Sequence, residues 1–103
     1  MRILLVEDEH KIANALKQGL TQDKYAVDVE YDGDSGLGAA LSQPYDLMII
    51  DRMLPGSVEG LDICRQVRAK NIHTPILILT AKDQIRDRVE GEVGIHGCAW
   101  RSE

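Results

Sequence analysis

A chain of 103 residues, 44% of them hydrophobic and 28% charged, fits one small globular domain. Its 12 Lys and Arg against 17 Asp and Glu give a formal net charge of -5. That balance argues against tight nucleic-acid binding by this chain, because phosphate contacts need clustered basic side chains. No apolar run approaches the roughly 20 residues of a membrane helix. The apolar start at Ile3–Val6 meets Glu7-Asp8-Glu9 too soon for a secretory signal, so a cytoplasmic location is expected.

Ile3 to Val6 is a short continuous apolar run and predicts a buried strand. Ile12, Leu16 and Leu20 then recur at four-residue spacing beside Ala13, one apolar face of a helix whose start near Asp8 or Glu9 suits the helix dipole. Gln22-Asp23-Lys24 marks its exit. Val27, Val29 and Tyr31 alternate with Asp28 and Glu30, the period of an edge strand with one wet face. Asp32-Gly33-Asp34 predicts a turn, and Leu37, Ala40 and Leu41 mark one face of a short helix closed by Pro44.

Leu47 to Ile50 lack a polar alternate, as suits a strand covered on both sides in a parallel sheet. Asp51 stands at its carboxyl end, before the loop Met53-Leu54-Pro55-Gly56. From Gly60 a further helix turns Ile63, Cys64 and Val67 one way and Arg65, Arg68 and Lys70 towards water. Cys64 is thus expected as a small core residue, and neither it nor Cys98 has the spacing of a zinc or disulfide framework. Thr74-Pro75 introduces the apolar run Ile76–Leu79, which ends at Thr80-Ala81. Ile85 and Val89 follow at helical spacing.

After Gly91 the periodicity stops, so residues 1–91 are expected to form the domain core and residues 92–103 an atypical tail. Strands alternating with helices predict an α/β fold with a mainly parallel, doubly wound sheet. Glu7 and Asp8 follow the first strand, Asp51 ends the third and Thr80 follows the fourth. Parallel strands aim these ends at one edge, where ligands of open α/β sheets collect. Three carboxylates gathered there repel one another and would recruit a divalent cation such as Mg²⁺. A carboxylate beside Mg²⁺ can act as a nucleophile towards phosphorus, and the Thr80 hydroxyl could donate to the same phosphoryl group.

Those pieces, Ile3 to Glu9, Asp46 to Gly56, Gly60 to Arg65 and Thr74 to Ala81, resemble the receiver domain of bacterial two-component response regulators. The similarity is greatest to the winged-helix transcriptional type, and it covers residue 1 to about Gly91. It implies a flavodoxin-like sheet of order 2-1-3-4-5. It implies Asp51 as phosphoacceptor, with Mg²⁺ or Mn²⁺ held by Glu7, Asp8, Asp51 and the Met53 backbone carbonyl. Thr80 would be the switch hydroxyl. The implied partner is a sensor histidine kinase, and the implied output is transcriptional, through a DNA-binding domain outside this chain. Turnover is not implied beyond self-phosphorylation and self-dephosphorylation.

The family continues into a fifth strand ending in Lys-Pro and a fifth helix, and here this sequence departs. Ser102 stands near the expected lysine and Ala99 near the expected aromatic switch residue. Arg101 and Trp100 are displaced by one position, which on a strand points to the opposite face. The tail resembles a segment from another reading frame or an artificial end. An alternative reading is therefore a phosphorylation-impaired, receiver-like binding module. Loss of the fifth strand and helix would also favour a homodimer or domain swap through the fourth strand. A nucleotide-binding enzyme lacks support, because neither Gly-x-Gly-x-x-Gly nor a P-loop is present. His10, His73 and His96 show no metal-ligand spacing.

Overall fold

Apolar runs without a polar alternate need cover on both faces, and two such runs set the architecture. The computed structural model describes residues 1–79. They form β1 (Arg2–Val6), α1 (His10–Gln22), β2 (Ala26–Glu30), α2 (Gly33–Ser42), β3 (Leu47–Asp51), α3 (Gly60–Ala69) and β4 (Ile76–Leu79). The strands are all parallel in the order β2-β1-β3-β4, the expected order as far as its fourth strand. The expectations for Thr80, a helix around Ile85 and Val89, the tail and the far edge of β4 lie outside the described residues.

Alternation along the strands divides the core into two layers. Leu4, Val6, Met48, Ile50, Ile76 and Ile78 pack with Ala40, Ile63, Cys64 and Val67 of α2 and α3. Ile3, Leu5 and Ile49 face the other way, with Ala13 of α1 and the half-buried Leu16, Leu20, Val27 and Val29. Cys64 is fully buried, as expected. Beneath α1 lie β1 and β2, while Leu47, Leu77 and Leu79 of the same sheet face remain half-buried. No helix among the described residues is long and apolar enough to cross a membrane.

Several local expectations need correction. Ala40 is buried and Leu37 packs against the core as expected, but Leu41 is 38% exposed, and Gly33 and Gly36 complete the buried side of α2. Small residues there let this helix approach the sheet and α3 closely. Asp32 is the N-cap of α2 and not simply part of a turn, its Oδ1 accepting from the Ser35 N–H at 2.7 Å. Tyr31 lies just past β2, where its ring stacks on that of His10 at 3.9 Å.

Two charged residues also do more than face water. Asp28 accepts from the Arg2 guanidinium at 2.9 Å and from the Tyr45 hydroxyl at 2.7 Å. The Tyr45 hydroxyl bond, helped by Arg2, holds the Asp28 carboxyl below its usual range, while burial and Asp28 push Tyr45 up to about 12. Arg68 is half-buried, and its Nη1 donates to the carbonyls of Ile72 at 2.8 Å and Thr74 at 2.9 Å. It thereby closes the connection from α3 into β4. Arg68→Ala leaves both carbonyls without that charged donor and is expected to destabilise by about 1–3 kcal/mol. Urea denaturation checks this, and an unchanged midpoint would refute the clamp.

Candidate metal centre

The register of β1 against β3 pairs Val6 with Ile50, and that of β3 against β4 pairs Asp51 with Leu79. The carboxyl ends are therefore level. Glu7 is the first residue past β1, Asp51 the last of β3, and both emerge from an apolar floor. With Asp8 they form a group whose ligand oxygens all lie within 4.8 Å of one another. Glu7 is 4% exposed, Asp51 half-buried and Asp8 open to solvent. All three carboxylates are those expected from the strand ends, and the fold brings them together.

Among the described residues, two backbone amides donate to these carboxylates. Glu7 Oε2 accepts from the Glu9 N–H at 3.0 Å. Asp51 Oδ1 accepts from the Met53 N–H at 3.2 Å. Neither suffices. Burial pushes Glu7 up to about 7, with the charges of Asp51 and Asp8 adding to it. Burial likewise raises Asp51, and the Asp8 charge adds to it. Burial and like charge thus disfavour the ionised form of Glu7 and Asp51, and a divalent cation would offset this, since it favours the ionised form of every oxygen it touches. The donor set is all oxygen, as Mg²⁺ and Mn²⁺ prefer.

The loop behind Asp51 is tied down by backbone bonds. The Arg52 N–H donates to the Leu79 carbonyl at 2.8 Å, and the Gly60 N–H donates to the Arg52 carbonyl at 3.1 Å. Leu54 is buried in the core, whereas the Met53 side chain is 59% exposed. At the start of α3 the Glu59 N–H donates to Asp62 Oδ2 at 3.0 Å, half of a capping box. Sequence reasoning passed over this cap, although the spacing Glu59-x-x-Asp62 before an apolar helix face was a readable signal.

Residues 3–98 match the family described as response regulator receiver domain. This chain belongs to that family. Among receiver relatives, the response regulator ArlR of Staphylococcus epidermidis is 53% identical over 89 residues, 86% of this chain but 40% of ArlR. The chain thus spans well under half the length of the curated relatives it matches. Among solved structures, the receiver domain of Francisella response regulator 1452 aligns with a TM-score of 0.75 at 30% identity, covering 91% of this chain and 78% of that one. The response regulator TrrA of Thermotoga maritima, solved in complex with Mg²⁺ and BeF, aligns with a TM-score of 0.73 at 33% identity, covering 90% and 80%. This receiver therefore shares the flavodoxin-like fold of its relatives.

The raised Glu7 carboxyl makes metal-free stability depend on pH, with a definite sign. Its ordinary value is 4.5 and its folded value about 7, so between them the folded receiver binds more protons than the unfolded chain. Stability present at and below about pH 4.5 from this group is lost as pH rises through about 7, on the order of a few kcal/mol. Thermal melts in chelator between pH 5 and 8 should show the fall, and Glu7→Gln should flatten it. An equal slope in that variant would show that another group is responsible.

Proposed function

We propose that Asp51 is the phosphoacceptor of this receiver, with Glu7, Asp8, Asp51 and the Met53 backbone carbonyl holding Mg²⁺ or Mn²⁺. The observation that carries the reading is the meeting of three carboxylates at level strand ends, where burial and like charge raise both Glu7 and Asp51. That TrrA was solved with Mg²⁺ and BeF supports it. When bound, the cation would supply positive charge against the negative charge developing on a transferring phosphoryl group.

The rest falls to the chain's own groups. An Asp51 oxygen attacks phosphorus as the bond to the donor's leaving group breaks, giving an acyl phosphate. The Met53 N–H fixes Oδ1 and so orients the nucleophile. The Thr80 hydroxyl is read as the switch donor to the phosphoryl group, by family resemblance. Ser102 near the family lysine position means a neutral group where a cation usually stands, so transfer should be slow. The donor is read as the phosphohistidine of a sensor histidine kinase. Transcriptional output through a DNA-binding domain is proposed for the longer protein of which such receivers form part.

Incubation with Mg²⁺ and a small phosphodonor should give an acid-stable, base-labile mass increase, absent in Asp51→Asn. Mg²⁺ should bind at roughly millimolar strength, near -4 kcal/mol, and more weakly in that variant. Equal cation binding by both proteins would overturn the site assignment. A receiver-like module that mainly self-associates is the second reading, supported by the half-buried Leu47, Leu77 and Leu79 on the α1 side of the sheet. Light scattering at low micromolar concentration should then show a homodimer or swapped dimer. A compact monomer with a cooperative melt would exclude it.

A further inference from the structure

Two of the described glycines have their Cβ space filled by another segment's backbone, and both press on the stretch that carries Asp51. A Cβ on Gly60 would run into the Asp51 carbonyl oxygen and stand 2.9 Å from Arg52 Cα. One on Gly33 would run into the Val58 carbonyl oxygen, with its carbon at 2.7 Å. Backbone cannot swing aside as a side-chain tip can. Gly38, by contrast, has open space around its Cβ position.

The two glycines occupy equivalent places, the first residues of α2 and α3. Each start is fixed independently. Asp32 caps α2 through the Ser35 N–H, and Asp62 caps the Glu59 N–H before α3. The connection from β3 to α3 is thus gripped near both its ends, at Asp51–Arg52 by Gly60 and at Val58 by Gly33. Between the grips, Leu54 is sunk in the core and Gly56 takes a φ of +96°, a conformation that strains other residues.

We propose that Gly33 and Gly60 are positioning residues for the cation site. They set the backbone path from Asp51 to Val58, and with it the aim of the Asp51 carboxylate and of the Met53 peptide groups. Neither glycine offers a ligand atom; each acts by letting a helix start touch the loop's backbone. The inference rests on the cation site proposed above.

Mg²⁺ alone is the probe, titrated by NMR so that only folded protein is scored. Gly33→Ala and Gly60→Ala should each raise the Mg²⁺ Kd about tenfold or more, as changes to the groups that support metal ligands do. Val67→Ala, a core truncation in α3, should lower stability while leaving that Kd unchanged, and Gly38→Ala, inside α2 with room for a Cβ, should raise stability and also leave the Kd unchanged. Kd values for both glycine variants within about twofold of wild type would overturn the inference, as would an equal rise in Val67→Ala. If Gly60→Ala or Gly33→Ala fails to fold, insertion of one glycine between Ser57 and Val58 slackens the same span without a new Cβ. The same rise is expected, and an unchanged Kd overturns the inference. A wild type that binds no Mg²⁺ overturns the cation site itself and this inference with it, an outcome distinct from variants that bind normally.

Discussion

Like charge held at the end of an apolar sheet is the constraint on which the rest of this structure depends. Glu7 and Asp51 cannot both ionise freely where they stand, because burial disfavours each charge and the neighbouring acids add repulsion. They stay together because β1 and β3 are adjacent, parallel and buried on both faces. A one-residue slip of either strand would turn its apolar set to the wrong layer. The hydrophobic register that builds the core therefore also holds the carboxylates in place.

The opposite end of the sheet shows the complementary treatment of polar groups. Arg2, at the start of β1, pairs with Asp28, and its backbone N–H donates to Asp46 Oδ2 at 2.8 Å. Tyr45 donates to Asp28, and the Tyr45 carbonyl accepts from the Thr74 hydroxyl at 3.1 Å. Arg68 satisfies two carbonyls on the way into β4. Charges and donors are matched there. At the carboxyl ends three carboxylates gather instead, and among the described residues backbone amides donate to them. Stabilising contacts and the candidate chemistry thus sit at opposite edges of one sheet.

Family membership gives this contrast a context without replacing it. The match over residues 3–98 shows a receiver domain. The acidic group and its raised carboxyls supply a physical reason for a cation at this edge, independent of resemblance. The loop from β3 to α3 joins the two descriptions, since it begins at the proposed nucleophile Asp51 and carries a proposed backbone ligand. Its shape is set from outside, by helix starts and by the buried Leu54, more than by contacts within the loop.

By itself the sequence determined the strand runs and the three carboxylates at their ends, while the strand order was implied by the receiver resemblance and is seen in the fold. Uninterrupted apolar stretches such as Leu47–Ile50 demand cover on both faces, and the residue after each stretch must then lie at the sheet's edge. It also marked Cys64 as core, because helical spacing places it with Ile63 and Val67. Helical spacing found Leu37 and Ala40 on the inner side of α2, but tertiary structure alone decided that Gly33 and Gly36 complete it while Leu41 turns outward, because close approach favours small residues. It decided that Arg68 clamps carbonyls and that Asp28 is held by Tyr45 and Arg2. Such partners are distant or irregularly spaced in sequence, and no periodicity records them. The two glycine contacts belong to the same class. A residue with no side chain leaves no pattern, and its consequence exists only once another segment's backbone lies against it.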